Sequence, residues 1–302
     1  MINTKKLFGT GVALVTPFNE NGSIDFKSLK KLINHTSKGV DYLVVMGTTG
    51  ESATLSKDEK KSVLKFVIEN NNKNLPVVYG IGGNNTYSVI DEIRDTDLGN
   101  VDAILSVSPY YNKPSQEGIY QHFVAVADAS PLPIILYNVP GRTASNLTAE
   151  TTLRLAKHTS IIGIKEASGN LEQCMNIAKN KPKDFLLISG DDMLTLAIYA
   201  IGGVGVISVL ANAYPSVFKK IKEFAFAENH KKAQAEQFKL LEINGSMYEE
   251  GNPVGLKYLL KLMNISNDHV RLPLVQASVL LQKKIAKISG YNLQLITHKK
   301  TS

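Results

Sequence analysis

The chain has 302 residues, of which 43% are hydrophobic and 20% are charged. This composition is typical of a globular protein with a large core, and no stretch approaches the roughly 18 apolar residues of a membrane span. The net charge of +7 comes from scattered lysines that do not alternate with aromatic residues, which argues against nucleic-acid binding and predicts a solvated basic surface. Such a positive field would also attract small anionic substrates.

Cysteine and histidine usage excludes further classes of site. Cys174 is the only cysteine, so the chain has no intrachain disulfide and no cysteine metal cluster, and its helical surroundings predict a buried, inert thiol. The six histidines are scattered without paired spacing, so no metal site is predicted. The first residues lack the apolar core of a signal peptide, and we expect a cytoplasmic protein.

Strand-like and helix-like patterns alternate along the first two thirds of the chain. The predicted strands are short and apolar, at 11–17, 42–46, 76–79, 101–107, 133–137, 161–165, 185–189 and 205–209. The predicted helices between them lie at 25–37, from 56 onward, and at 86–95, 115–129, 148–158, 171–180 and 193–201. Apolar strands without polar alternation indicate a parallel sheet covered by helices, and eight β-then-α repeats predict a TIM (β/α)8 barrel.

Only helical patterns follow the eighth strand. They lie at about 214–228, 230–248, 254–263 and 273–287. The first completes the barrel, so we predict a barrel of residues 1–226 and a C-terminal helical extension, residues 227–302, packed on the barrel. The segment 297–302 is expected to be a loose tail.

The predicted strands end in polar residues, and in such barrels the chemistry lies at the carboxyl ends of the strands. These ends comprise 16–17, 47–51, 80–85, 108–112, 137–142, 165–166, 190–192 and 207–208. We therefore expect a functional site at this rim of the barrel.

Lys165 is the most unusual of these residues because it ends a strand containing three isoleucines. Burial favours the neutral form of a lysine, which attacks carbonyl carbons to form a Schiff base. The alternative is a structural ion pair between Lys165 and Glu166.

Four other strand ends each allow two interpretations. Gly47-Thr-Thr-Gly50 is either a nest for a carboxylate or a simple turn, and Arg142 is either a carboxylate clamp or a partner in a surface ion pair. The tyrosines at 111 and 137 are either proton donors or packing residues. Asp191-Asp192 either binds a cation or, as we favour, caps the next helix.

Several stretches together resemble one enzyme family over essentially the whole chain. They are Gly47-Thr-Thr-Gly-Glu-Ser-Ala-Thr-Leu55, Ser108-Pro-Tyr-Tyr-Asn-Lys-Pro-Ser-Gln-Glu-Gly118, Tyr137-Asn-Val-Pro-Gly-Arg-Thr143, Gly163-Ile-Lys-Glu-Ala-Ser-Gly169 and Gly205-Val-Ile-Ser-Val209. The family is 4-hydroxy-tetrahydrodipicolinate synthase, or dihydrodipicolinate synthase, within the pyruvate-dependent class I aldolases related to N-acetylneuraminate lyase. The resemblance implies the committed step of diaminopimelate and lysine biosynthesis, without a metal or organic cofactor.

The resemblance also implies a mechanism. Lys165 would form an imine with pyruvate, whose carboxylate is held by the backbone around Thr48 and Thr49. The resulting enamine would attack L-aspartate 4-semialdehyde, whose own carboxylate binds Arg142. The amine of the product would then displace the lysine and close the ring.

The proton relay and the pocket wall follow by the same resemblance. Tyr137, Thr48 and Tyr111 match the relay, and Tyr111 matches a residue that enters from a neighbouring subunit, so at least a dimer and commonly a homotetramer is implied. Gly190 and Ile207 match positions that line the pocket near the imine.

Some family members are inhibited by lysine at the dimer interface. The matching positions are Ser52, Ala53, Lys57, Lys60, Asn84, Ser88 and Tyr110. Regulated members have histidines in place of Lys57 and Lys60 and a glutamate in place of Ser88. Because losing an anion and gaining cations weakens binding of a cationic amino acid, we predict weak or absent inhibition by L-lysine.

Two other functions stay open at this stage. One is a sister aldolase, such as an N-acetylneuraminate or 2-keto-3-deoxy sugar acid lyase, although Arg142 argues against a sugar acid. The other is a non-catalytic sensor of keto acids, although a binder needs no proton relay.

Overall fold

The computed structural model describes residues 3–290, and within them eight parallel strands close into one barrel. Each strand pairs with the next in the sequence, and the eighth pairs with the first. The strands are β1 Gly9–Ala13, β2 Tyr42–Val45, β3 Val77–Gly80, β4 Ala103–Val107, β5 Ile134–Asn138, β6 Ile161–Glu166, β7 Leu186–Ser189 and β8 Gly205–Ser208. The predicted (β/α)8 fold is confirmed.

Helices cover the outside of the barrel. They are α1 Phe26–Thr36, α2 Lys57–Glu69, α3 Thr86–Asp95, α4 Gln116–Ala129, α5 Pro140–Thr143, α6 Ala149–Leu155, α7 Leu171–Asn180, α8 Thr195–Ala200 and α9 Pro215–Phe226. Polar side chains cap the first turns of most of them, and Ser56 and Glu59 form a reciprocal capping box at the start of α2. These caps explain why several helix starts were predictable from the sequence.

Four more helices follow the barrel, and two of the predicted ranges are wrong. The helices are α10 His230–Phe238, α11 Leu241–Asn244, α12 Val254–Leu262 and α13 Val279–Ser289. The predicted helix at 230–248 breaks after Phe238 and continues into the 3-10 turn Gly245–Met247. The predicted helix at 273–287 begins only at Val279, because the Ser278 side chain caps it by accepting from the N–H of Leu281.

The predicted boundary between the barrel and the extension, at residues 226 and 227, falls between α9 and α10. These two helices pack against each other, and the division stays a proposal. The predicted tail at 297–302 lies outside the described residues. Within residues 3–290, no helix is both long and apolar enough to cross a bilayer.

The apolar core has two layers, because alternate strand residues face opposite sides of the sheet. One layer lies between the strands and the helices. The other fills the barrel and includes Val44, Ile135, Ile188 and Ile207. The interior is a packed core, so the polar residues at the carboxyl ends of the strands lie at the rim of the barrel.

His122 on α4 is buried, and its Nδ1 lies 2.9 Å from the hydroxyl of Thr86 at the start of α3. Burial lowers the pKa of His122 to about 4. In the unfolded chain, the histidine has its ordinary pKa of about 6.5. Between about pH 6.5 and pH 4 the unfolded chain therefore binds more protons than the folded chain, and the free energy of unfolding falls as the pH falls through this window.

We expect the His122 contribution to reduce the free energy of unfolding by about 2 kcal/mol between pH 7 and pH 5. A His122→Gln variant should lack this component, because glutamine does not titrate. Urea unfolding of both proteins at the two pH values measures the difference, and an equal pH dependence in both would contradict the assignment.

Candidate active site

The site is organised by the register between β5 and β6. Tyr137 and Lys165 are directly paired across these parallel strands, so both side chains point into the mouth of the barrel. Lys165 is 5% exposed, and its Nζ lies 4.1 Å from the centre of the Tyr137 ring. A largely buried amine is thus held against the ring of a phenol.

Glu166 points away from Lys165, because successive strand residues face opposite sides of the sheet. Its carboxylate accepts hydrogen bonds from Asn138 Nδ2 (3.0 Å), from Gln173 Nε2 (2.8 Å) and from the N–H of Ser168 (2.7 Å). Lys165 forms no ion pair with any residue in the described range. The alternative of a Lys165–Glu166 pair is therefore wrong.

Lys165 opens into a cavity of about 260 Å³. Five of the predicted residues line this cavity: Thr49, Tyr137, Arg142, Lys165 and Gly190. They come from the ends of β2, β5, β6 and β7, so closure of the barrel assembles them.

A smaller cavity of about 70 Å³ lies on the other side of Tyr137. It is lined by Thr48 and Ser52, and also by Lys60, which pairs with Glu92 at 3.1 Å. Tyr137 therefore separates the lysine cavity from the threonine at position 48.

The segment Thr48–Gly50 forms one 3-10 turn, which we call the threonine loop. Thr49 is 2% exposed, and its hydroxyl accepts a hydrogen bond from Asn252 Nδ2 at 3.1 Å. The hydroxyl of Thr16 donates to the carbonyl of Gly50 at 2.6 Å. The loop is thus tied both to the barrel and to the C-terminal helices.

Arg142 lies on the one-turn helix α5, which begins at Pro140. Its side chain is exposed and lines the cavity opposite the lysine strand. A guanidinium with free donors at a cavity wall can bind a carboxylate through two hydrogen bonds.

Asp191 and Asp192 are helix-capping and backbone-binding residues. Asp191 accepts from the N–H of Met193, and buried Asp192 accepts from the N–H groups of Val209 and Leu210. Burial raises the pKa of Asp192 to about 6. The predicted capping is confirmed, and within residues 3–290 no group of three or more His, Cys, Asp or Glu side chains could hold a metal ion.

Gly190 is required by close packing. Its N–H donates to the carbonyl of Glu166 at 2.7 Å, and a Cβ at this position would lie 2.5 Å from the Cβ of Ala167. Ile207 is 1% exposed and belongs to the core inside the barrel, so the structure does not bring its side chain into the cavity wall.

Tyr111 lies outside both cavities of its own chain. It is 86% exposed and has a left-handed backbone conformation with φ of 73°. A large aromatic side chain held out in this way suits contact with another protein surface.

The seven positions matched to the lysine-inhibition site lie near the smaller cavity or on the surface beside it. Ser52 and Lys60 line that cavity, and Lys57 lies 3.8 Å from Asp95. Ala53 and Ser88 are exposed. Asn84, also exposed, donates to the backbone carbonyl of Tyr110 at 3.2 Å.

Sequence reasoning missed three residues of the cavity: Asn244, Tyr248 and Asn252. Asn244 ends α11, and Tyr248 and Asn252 lie between the 3-10 turn Gly245–Met247 and α12, so the C-terminal extension supplies part of the cavity wall. Desolvation of the Tyr248 hydroxyl and the carboxylates of Asp192 and Asp191 raise the pKa of this phenol, although the residue as a whole is 37% exposed, so the phenol stays a hydrogen-bond donor. Their helical patterns carry no sign of this role, and only the packing of the extension reveals it.

Known proteins resemble this chain over nearly its whole length. A sequence model of the dihydrodipicolinate synthetase family matches residues 6–289. The chain is 52% identical over 279 residues to a 4-hydroxy-tetrahydrodipicolinate synthase of Flavobacterium psychrophilum, covering 92% of this chain and 95% of that protein.

Solved structures agree with these sequence matches. A dihydrodipicolinate synthase from Bacillus anthracis is 36% identical, with a TM-score of 0.91 over 97% of this chain and 99% of that one. Another, from Cyanidioschyzon merolae with lysine bound, is 34% identical, with a TM-score of 0.91 over 95% of this chain and 98% of that one.

The hydrogen bonds of Glu166 predict a large stability effect. Glu166→Ala removes one acceptor from each of the buried amides of Asn138 and Gln173 and the acceptor of the Ser168 N–H, and we expect the free energy of unfolding to fall by about 3 kcal/mol. Glu172→Ala, at an exposed position in the first turn of α7, is the control and should change stability by less than about 0.5 kcal/mol. Urea denaturation measures both, and equal losses would contradict the role given to this network.

Proposed function

The chain belongs to the dihydrodipicolinate synthetase family, and we infer that it condenses pyruvate with L-aspartate 4-semialdehyde to form 4-hydroxy-tetrahydrodipicolinate. This is the committed step of diaminopimelate and lysine biosynthesis. The enzyme is a lyase of the Schiff-base type.

The observation that carries this function is the environment of Lys165. Its Nζ is buried against Tyr137 at the cavity floor and has no acidic partner among the described residues. Such an amine is suited to attack the keto carbon of pyruvate, and the imine then forms with loss of water. Loss of a methyl proton gives an enamine, which attacks the aldehyde carbon of the second substrate.

Two anion-binding groups suit the two carboxylates of the substrates. In our proposal, the threonine loop binds the carboxylate of pyruvate through backbone N–H groups around Thr48 and Thr49. Arg142 binds the carboxylate of the semialdehyde from the other side of the cavity. Gly190 bounds the pocket near the imine, and its lack of a side chain supports close approach there. Ile207, matched to the same wall by resemblance, lies in the core inside the barrel and takes no part in this proposal.

The proton relay comprises Tyr137, Thr48 and Tyr111. The position of Tyr137 between the two cavities supports it, because the phenol can contact both Lys165 and the side of the pocket that carries Thr48. After carbon–carbon bond formation, the amine of the product displaces Lys165 and closes the ring, so the lysine is regenerated.

The relay needs a second copy of the chain, because Tyr111 is 86% exposed and lies outside both cavities of its own chain. We propose that it completes the site of a neighbouring subunit in a dimer, and that two dimers form a homotetramer. A cytoplasmic location, predicted from the sequence, stays a prediction.

Reduction with borohydride in the presence of pyruvate tests the function. We expect one covalent adduct per chain by intact mass, because borohydride reduces the imine to a stable amine. Lys165→Ala should form no adduct and should lose condensation with L-aspartate 4-semialdehyde. A folded wild-type protein without an adduct would contradict the function, and an adduct without condensation would leave an aldolase with another acceptor.

The response to L-lysine is a separate prediction. Ser88 supplies no carboxylate for the ligand's ammonium, and Lys57 and Lys60 add two cations, each beside one carboxylate, Asp95 and Glu92. We expect weak or absent inhibition in a steady-state assay with both substrates. Inhibition in the micromolar range would contradict this expectation.

A further inference from the structure

A buried ion pair lies directly behind the threonine loop. Glu51 follows the loop, has a left-handed backbone conformation with φ of 54°, and is 4% exposed. Its Oε1 lies 2.5 Å from Nζ of Lys257 on α12, whose side chain is completely buried. The ion-pair partner of Glu51 therefore comes from the C-terminal extension, more than 200 residues away in the sequence.

The surroundings satisfy both ions. Lys257 Nζ also donates to the carbonyl of His269 at 2.8 Å and lies 4.1 Å from the centre of the Phe18 ring. The second oxygen of Glu51 accepts from the N–H of Arg271 at 3.1 Å. Burying two charges is costly unless further polar contacts compensate, and here those contacts are present.

The same segment of the chain contacts the threonine loop at one more point and the turn that follows it at another. Asn252 donates to the hydroxyl of Thr49, and the guanidinium of Arg271 donates to the carbonyl of Thr54 at 2.9 Å. Arg271 also forms a bidentate pair with Glu59 at the start of α2. The C-terminal segment thus contacts this part of the chain before, at and after Glu51.

On the barrel side, the loop is held by the hydrogen bond from the Thr16 hydroxyl to the Gly50 carbonyl. It is a single 3-10 turn, and its internal backbone hydrogen bonds run from Gly50 to Gly47 and from Glu51 to Thr48. The N–H groups available to a ligand are those near its start, and a small rotation of the turn would redirect them. A carboxylate site made of such groups requires accurate placement.

We propose that Lys257 and Glu51 are positioning residues that hold the threonine loop in the geometry that binds the carboxylate of pyruvate. The proposal rests on the proposed function. It makes the C-terminal extension part of the pyruvate site, although neither residue lines the lysine cavity.

The test uses the full-length protein and four variants: Lys257→Met, Glu51→Gln, both changes together, and Lys261→Met. Lys261 is the matched control, because it lies one helical turn beyond Lys257 on α12 and pairs at 2.9 Å with another buried carboxylate, Asp268, which is not part of the threonine loop. Each protein is assayed for thermal stability, for KM of both substrates and for the pyruvate concentration that gives half-maximal imine trapping with borohydride.

We expect Lys257→Met and Glu51→Gln to raise the pyruvate requirement by about tenfold or more and to leave the KM of the semialdehyde within about twofold of the wild type. The double variant should recover thermal stability, because no buried charge is left unpaired. It should keep the raised pyruvate requirement, since Gln and Met cannot restrain each other. Lys261→Met should leave the pyruvate requirement unchanged.

A purely structural pair gives a different result. Folded variants with a wild-type pyruvate requirement, or an equal increase in Lys261→Met, would overturn the proposal. If Lys257→Met does not fold, the pyruvate requirements of the double variant and of Glu51→Gln test the proposal, because neither variant leaves an unpaired buried carboxylate. A wild-type protein that traps no pyruvate would instead overturn the proposed function.

Discussion

The pairing of β5 with β6 is the constraint on which the arrangement of the site depends. It aligns Tyr137 with Lys165 at the point where both strands leave the barrel. The packed interior beneath them prevents either side chain from turning down, and the strand alternation sends Glu166 to the other side of the sheet. A one-residue change in register would exchange the lysine for the glutamate at the cavity floor.

Three buried or nearly buried charged residues have three different surroundings. Glu166 is surrounded by neutral amides and a backbone N–H, which satisfy its oxygens at the rim of the barrel. Lys257 is paired with Glu51 and serves to join distant segments. Lys165 has only an aromatic face beside it. Because Lys165 lines the cavity, its amine can meet a ligand there, whereas the amine of Lys257 is enclosed by its ion pair.

The fold and most of the site could be predicted, because both depend on local patterns. The apolar strands, the caps at Ser56 and Asn85 and the polar strand ends all follow rules that act within a few residues. The errors lie in the C-terminal helices, where the predicted segments 230–248 and 273–287 have apolar periodicity. That periodicity did not reveal the break after Phe238, or the cap at Ser278 that delays α13.

The sequence by itself determined the barrel, the lysine at the end of its sixth strand and the polar character of its neighbours. Only the tertiary structure decided that Lys165 has no acidic partner, that Tyr137 separates two cavities, and that Asn244, Tyr248 and Asn252 form part of the cavity wall. It also decided that Glu51 is paired with Lys257. The physical reason is distance along the chain. Strand and helix patterns arise from neighbouring residues, whereas the cavity wall and the buried ion pair join residues more than 200 positions apart.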